Sequence, residues 1–503
     1  MSRYLLAHDL GTSGNKATLY SEDGALIKSS VYSYGLITGE NNKAEQNADD
    51  WWDAVCATTK ELLEGINPSD IAAVSFSGQM MGCLCVDEEG TPLHNALIWA
   101  DMRSVKEEQK IRSVIDGFDF YAITGHRISS SYSATKFMWL KENEPEVYNK
   151  TYRMLNAKDY IIFKLTGQFV TEPSDASSTC LMDLNTLNWS DDILSITGLD
   201  KAKLPEIIPS VAIAGKVTKE ASLLTGLMEG TPVVCGGGDG CCAAVGTGGV
   251  KEGIANCCLG TSSWISLASK TPVFDPTMTT FNFAHIVPGY IMPCGTMQTG
   301  GGSLSWVVDS LFGDVEGYES PTKGDIYKTV GKEAALSPAG AKNLLYLPYL
   351  IGERSPRWND KAKGAFIGLT LNHGRGDILR SVMEGVGYNL NLILNAYKNG
   401  GNNIEELILI GGGARNEIWQ QILCDIFGIP VLVPNYLEEA TSMGAAITAG
   451  VGVGIFENFE VTERFIKIEN TNKPALKNKE KYAQMQELFD EAYSALCGIY
   501  EKL

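Results

Sequence analysis

Tyr4-Leu-Leu-Ala-His-Asp-Leu-Gly-Thr-Ser-Gly14 is an apolar run of strand length that breaks into a glycine, two hydroxyls and a second glycine. About half a chain later, Gly253-Ile-Ala-Asn-Cys-Cys-Leu-Gly-Thr-Ser-Ser-Trp264 states the same theme again. A buried strand feeding a glycine-hydroxyl turn is a common unit, but its recurrence at such a distance points to a duplicated architecture. Two further apolar runs end the same way. Thr231-Pro-Val-Val-Cys235 enters Gly236-Gly-Gly-Asp-Gly240, and Leu407-Ile-Leu-Ile410 enters Gly411-Gly-Gly-Ala414. Each half therefore delivers glycine turns to one edge of its strands.

Helical patterns separate these strands. Asn47 is placed to cap a helix with Asp49 and Asp50 in its first turn, and Trp52, Val55, Thr59, Leu62 and Ile66 follow at three-to-four spacing. Near the end, Tyr482, Met485, Phe489, Ala492, Leu496 and Ile499 form an amphipathic stripe that packs on its own domain. Alternating strands and helices predict an α/β fold with its turns at the carboxyl ends of strands. The repeat alone places the boundary near Lys251, dividing residues 1–250 from 251–503.

Composition narrows the function. With 41 basic and 60 acidic residues the net charge is −19, so no general field gathers nucleic acid or anionic lipid, and a phosphate ligand must be held locally. No run reads as a signal peptide or membrane span: the window Thr231–Val250 comes nearest but holds seven glycines and an aspartate. The 12 cysteines include no C-x-x-C pair and there are five histidines, which speaks against structural zinc and for buried thiols in a reducing cytoplasm. Glycine, at 53 of 503 residues, is the outlier against an average of about 7%.

A turn that grips a polyphosphate needs outward main-chain N–H groups at close range, which glycine permits, and a hydroxyl adds a donor. Asp9-Leu-Gly-Thr-Ser-Gly14 also carries an acid where a hydrated magnesium ion could sit. A hairpin turn explains one Gly-Thr-Ser-Gly as readily as a phosphate does, but two in equivalent places favour the phosphate. The P-loop pattern is absent. Gly238-x-Gly240-x-x-Ala243 matches a dinucleotide fingerprint but lacks an acid closing a second strand about 20 residues on.

The chain resembles the FGGY family of sugar kinases, and within it the xylulokinase branch. The likeness is carried by Asp9-Leu-Gly-Thr-Ser-Gly14, Ser77-Gly-Gln-Met80, Ile98-Trp-Ala-Asp101 with Arg103, Lys158-Asp159-Tyr160, Gly236-Gly-Gly-Asp239, Gly260-Thr-Ser262, Gly352-Glu-Arg-Ser-Pro356, Gly364-Ala-Phe-Ile-Gly368 and Gly411-Gly-Gly-Ala-Arg-Asn416 with Trp419-Gln420. It implies two ribonuclease-H-like domains of the actin and hexokinase superfamily, with a cleft between a sugar-binding first half and a nucleotide-binding second half. It implies ATP and Mg²⁺ as cofactors, a small sugar or polyol as acceptor, first a ketopentose such as xylulose and otherwise a tetritol, another pentulose or a deoxy or less polar sugar, no nucleic-acid or membrane partner, a cytoplasmic location, and it admits a homodimer.

By the same resemblance, Asp239 is the general base and Asp9 with Asp239 places the metal. Gln79, Met80, Met81, Asp101 and Asp239 face the acceptor. Gly11, Thr12, Ser13, Gly260, Thr261 and Ser262 clamp phosphates, while Gly301, Ser305, Gly412, Gly413 and Asn416 take the adenosine side. Phosphoryl transfer asks for such parts: a proton acceptor, a metal and positioned donors. Two positions depart from the xylulokinase pattern, Met81 standing for a histidine and Gly240 for an amide, which predicts a roomier, less polar acceptor site than D-xylulose usually meets. Tyr132-Ser-Ala-Thr-Lys136 and Ser174-Asp-Ala-Ser177 read as helix capping and lysine pairing. His8, His94, His126, His285 and His373 pair with no nucleophile, so histidine catalysis is not expected. An actin- or chaperone-like nucleotide-driven binding protein is the rival reading, and it lacks a Gly-Asp base motif.

Overall fold

The computed structural model describes residues 3–312, 323–436 and 439–503. In the first half, β1 (Tyr4–Leu10), β2 (Gly14–Ser21), β3 (Leu26–Ser33), β4 (Ile71–Gly78), β5 (Ile213–Lys216) and β6 (Pro232–Val234) lie in the order β5-β6-β4-β1-β2-β3. The second half repeats the plan with β7 (Ile254–Leu259), β8 (Ser263–Leu267), β9 (Phe281–Ala284), β10 (Ile291–Met297), β11 (Glu406–Ile410), β12 (Val431–Pro434) and β13 (Ile468–Asn472), ordered β9-β10-β8-β7-β11-β12-β13. The strand senses repeat as well. β1 runs antiparallel to β2 and parallel to β4, and β7 runs antiparallel to β8 and parallel to β11. This is the duplication that the two Gly-Thr-Ser turns predicted, in the ribonuclease-H-like form that the family resemblance implied.

The central strands read as continuous apolar runs because both of their faces are covered. In β1, Leu6 and Leu10 join a core with Trp51, Val55 and Leu62 of α1 (Ala48–Leu63). Its other face sends Leu5 and Ala7 against Cys241, Cys242 and Val245 of α2 (Asp239–Gly246). In β7, Ala255, Cys257 and Leu259 pack with Val382, Val386 and Leu390 of α3 (Arg375–Asn399). α4 (Ala440–Gly452) packs on β1 and β4 of the first sheet, although its sequence lies in the second half.

α2 and α4 cross between the sheets with their backbones in contact. A Cβ added at Gly246 would stand 1.8 Å from the Ala440 carbonyl oxygen, and one at Gly444 would stand 1.9 Å from that of Cys242. Glycine is what lets the strand ends on either side of this crossing approach one another.

Local readings hold with two amendments. The Asn47 side chain accepts the Asp49 N–H at 3.2 Å and caps α1, but the helix stops at Leu63, so Ile66 of the predicted stripe lies beyond it. In the terminal helix, α5 (Lys479–Tyr500), Tyr482, Met485 and Phe489 are buried against Tyr349 and Tyr388, whereas Ile499 is 49% exposed. No helix among the described residues is long and apolar enough to cross a membrane.

Candidate active site

The end of β1 is tied down by side chains. Asp9 accepts from the Ser77 hydroxyl at 2.8 Å and, from the other half of the chain, from the Thr441 hydroxyl at 2.6 Å. Thr12 accepts the Trp99 indole N–H at 2.9 Å on its hydroxyl and the Gln46 amide at 2.6 Å on its carbonyl. The Gln46 oxygen then accepts from Gln79 at 2.7 Å, so the first turn and the loop after β4 share one side chain. Tyr34 donates its hydroxyl to the Gly11 carbonyl, and Ser13 is exposed at the tip.

Beside this turn stands Asp239, the first residue of α2. Burial, and then the charge of Asp9, push its carboxyl up to about 7, partly offset by the Gly240 N–H at 2.7 Å. Burial raises Asp9 as well, against the Thr441 and Ser77 hydroxyls and the Lys16 ammonium. Both carboxyls are thus raised first by burial, and the charge of Asp9 adds to the rise of Asp239. Met80 packs on the turn before Asp239: a Cβ at Gly238 would stand 2.5 Å from the Met80 sulfur. Gln79 is buried and its Oε1 lacks a hydrogen-bond partner, an open acceptor of the kind a ligand hydroxyl satisfies.

Met81 holds the left-handed conformation, φ +63°, which costs a non-glycine residue free energy unless its surroundings fix it. They do so from both sides: its N–H donates to Ser178 at 3.1 Å and its carbonyl accepts from Lys136 at 2.9 Å. Lys136 is fully buried, and burial brings its ammonium down to about 7 against the pull of Asp101. Asp101 is itself committed to the Ala44 N–H at 2.8 Å and to Arg103, which also reaches Glu45 at 2.6 Å. The half-buried Arg354 has no carboxylate within ion-pair reach among the described residues. Its charge acts on Glu353, Lys136, Tyr132, His126 and Cys294, and Cys294 also feels Asp239.

The second turn opens on a cavity of about 880 Å³, within the range of small-molecule sites. Gly260, Thr261, Gly301, Ser305, Gly412, Gly413 and Asn416 all line it. Main-chain hydrogen bonds assemble its floor: the N–H groups of Gly300 and Gly302 reach the Thr261 carbonyl at 2.9 and 3.0 Å, and that of Gly301 reaches Gly260 at 2.7 Å. A Cβ at Gly412 would meet nothing within 4 Å. Asn416 acts within the fold, accepting the Ile418 and Trp419 N–H groups and donating to the Tyr327 carbonyl.

Comparison with known proteins settles the family. The N-terminal domain model of the FGGY family of carbohydrate kinases matches residues 4–246, and the C-terminal domain model matches residues 255–453. The chain belongs to the FGGY family of carbohydrate kinases. It is 32% identical to a xylulose kinase of Bacillus subtilis, covering 98% of this chain and 97% of that one. It is 31% identical to a gluconokinase of Bacillus licheniformis, covering 100% of this chain and 98% of that one. A solved structure of ligand-bound xylulose kinase from Lactobacillus acidophilus superposes with a TM-score of 0.92 at 27% identity, covering 99% of each chain. The protein is thus a sugar kinase, a phosphotransferase with an alcohol group as acceptor, and kinases of this family use ATP.

In the kinase, seven residues expected at the nucleotide come together in one cavity. Ser262 is exposed on the same turn, and Gly11, Thr12 and Ser13 lie outside the cavity lining, on the turn of the other half. Two short motifs differ in part from their reading, the lysine pairing of the second being present. Tyr132 makes no capping hydrogen bond, and Lys136 donates to carbonyls rather than pairing with an acid. Glu172, one residue before the Pro173–Ser178 helix, caps it, while Asp175 pairs with Lys158 at 2.9 Å. Gln46 and Thr441 were not singled out: each acts through long-range hydrogen bonds for which the sequence carries no local signal. Arg354 lies inside a quoted motif, and only the fold shows that it forms no ion pair among the described residues.

Proposed function

We propose that this kinase transfers the γ-phosphoryl group of ATP to a hydroxyl of a ketopentose such as D-xylulose, with Asp239 as the general base. The observation that carries the reading is Asp239 itself, a carboxyl at about 7 placed beside the Gln79–Met80 loop. A base near neutrality takes a hydroxyl proton as the bond to phosphorus forms. Thr12 and Ser13 from one half and Thr261 and Ser262 from the other are the donors offered to the phosphates, and the 880 Å³ cavity receives the nucleoside. A hydrated Mg²⁺ fits the buried carboxyls of Asp9 and Asp239, both of which burial raises. Among the described residues no group of three His, Cys, Asp or Glu side chains could hold a metal, as suits an ion that takes most ligands from water and phosphate. When bound, the ion neutralises phosphate charge.

Arg354 and Lys136 favour a second reading. A permanent cation with no carboxylate in ion-pair reach among the described residues, although its charge also acts on Glu353, and acting on a buried lysine beside Met81, suits an acceptor with a carboxylate of its own, an aldonate. The two readings part in a screen of ketoses, aldoses, polyols and aldonates for acceptor-dependent ADP release. The highest kcat/KM is expected with a ketopentose. An aldonate that exceeds it establishes the second reading, and failure of every acceptor to raise ADP release above background overturns both.

A further inference from the structure

The turn that carries Asp239 is made of three consecutive glycines, Gly236–Gly238, the residues with the widest choice of backbone angles. A base on such a turn points reliably at its target only if something outside the turn holds it. Gly237 and Gly238 pair with Ser77 and Gly78 of β4, which fixes one side. The other side rests on side chains from the Ser174-Asp-Ala-Ser177 stretch. The Gly238 N–H donates to the Ser174 hydroxyl at 2.9 Å, and that hydroxyl donates to Glu172 Oε1 at 2.6 Å. The first glycine is held by the same acid through Ser210, whose carbonyl accepts the Gly236 N–H at 3.0 Å and whose hydroxyl donates to Glu172 Oε2 at 2.7 Å.

Glu172 is fully buried and is held in turn. It accepts the N–H groups of Ser174 and Asp175 at 2.9 and 2.8 Å. Lys158 lies 3.6 Å from it while pairing with Asp159 at 2.7 Å and Asp175 at 2.9 Å. The same lysine supports β4, since a Cβ at Gly78 would stand 3.0 Å from the Lys158 Cβ. One buried cluster therefore underlies both the strand that leads to Gln79 and the turn that leads to Asp239.

We propose that Ser174 is a positioning residue for phosphoryl transfer: anchored on Glu172, its hydroxyl fixes the main chain of Gly238 and through it the aim of the Asp239 carboxylate. This rests on the reading of Asp239 as the base. Ser174 is fully buried with its hydroxyl engaged by Gly238 and Glu172, so its loss acts on turnover rather than on binding.

Ser177 supplies the control. It lies on the same short helix, is equally buried, accepts the Ala284 N–H at 3.1 Å and donates to the Ser174 carbonyl at 2.7 Å. Its removal leaves one buried N–H unpaired, as removal of the Ser174 hydroxyl does. Steady-state kinetics and Tm are measured on the full-length wild type, Ser174→Ala, Ser177→Ala, Asp239→Asn and the Ser174→Ala/Asp239→Asn double variant. Ser174→Ala is expected to lower kcat on the order of tenfold to a hundredfold with both KM values little changed. Ser177→Ala is expected to show a similar fall in Tm with kcat kept. The double variant should be no slower than Asp239→Asn, because the serine acts through the aspartate. Equal kcat in Ser174→Ala and Ser177→Ala overturns the proposal, and so does a double variant slowed by the full Ser174→Ala factor. If Asp239→Asn keeps wild-type turnover, the base assignment falls by itself, whatever the two serine variants do. Should Ser174→Ala not fold, Ser210→Ala tests the same anchor, with a smaller loss of kcat expected and an unchanged kcat counting against it.

Discussion

Leu10 and Leu259 end equivalent strands, and the turns that follow them, Gly11-Thr-Ser and Gly260-Thr-Ser, have been put to different uses. Asp9 stands one residue before the end of the first strand, and Cys258 occupies that place in the second. The first turn is held by side chains, with Trp99 and Gln46 on Thr12 and Tyr34 on Gly11. The second is held through the main chain of Gly300–Gly302 and opens on the large cavity. The same backbone unit thus becomes a fixed support for charged groups in one half and a nucleotide-sized recess in the other. Topology supplied the frame, and a few residues beside each turn divided the labour.

Removing the distinguishing acid should have the largest effect. Asp9→Asn is expected to lower kcat on the order of a hundredfold or more, whereas Cys258→Ala, at the matching place, should leave kcat near wild type. Steady-state assays at saturating ATP and acceptor read this, and comparable losses in the two variants would break the division of roles. Next in size is a pair of neighbours in the second half. A leucine at Gly412 enters open space and should raise the KM for ATP roughly tenfold with the fold intact. A leucine at Gly413 must displace Leu259, whose side chain would lie 2.5 Å from the new Cβ, and should cost about 1–3 kcal/mol in urea unfolding.

In the first half, Met81→His with Gly240→Asn should raise kcat/KM for D-xylulose, each restored hydrogen bond contributing about 1 kcal/mol or some fivefold. The site has room for both changes. A Cβ at Gly240 meets only Met292, at 3.7 Å, and histidine accepts the left-handed conformation of residue 81 more readily than methionine does. A double variant slower on D-xylulose would mean that the site already satisfies this acceptor by other partners.

The smallest expected effect concerns the support of the second half. Burial pushes the Asp377 carboxyl up, but Lys342, Ser337 and the Gly374 N–H together bring it down to about 2 at the start of α3. A folded pKa below the unfolded value of 3.8 means that its stabilisation is present above about pH 4 and is lost as pH falls through about 2. Unfolding free energies from pH 6 to pH 2 should therefore drop less steeply in Asp377→Asn than in the wild type, and identical slopes would contradict the assignment.

The sequence was legible where chemistry is local. The repeated strand-and-turn text gave the duplication, and the glycine clusters gave the turns, because backbone conformations that need glycine leave their mark residue by residue. Seven residues that the family resemblance assigned to the nucleotide line one cavity. What stayed hidden lies in long-range pairs. Thr441 reaches Asp9 across the whole chain, Gln46 bridges two loops, and Glu172 anchors a glycine run through serines on separate segments. The packing of α4 on the first sheet was equally invisible, since an Ala- and Gly-rich helix of this kind fits either half until the crossing at Gly246 and Gly444 is seen.

The central claim is that both turns grip the phosphates of one nucleotide, the second those nearer the nucleoside and the first the transferred one. Calorimetric binding of ATP, ADP and AMP to the wild type, Thr12→Val and Thr261→Val tests it most directly. Thr12→Val is expected to weaken ATP by about fivefold, the worth of one hydrogen bond, and to leave AMP unchanged. Thr261→Val is expected to weaken ATP and ADP alike. Unaltered ATP binding in Thr12→Val, with Thr261→Val impaired as expected, would contradict the claim and confine the nucleotide to the second half.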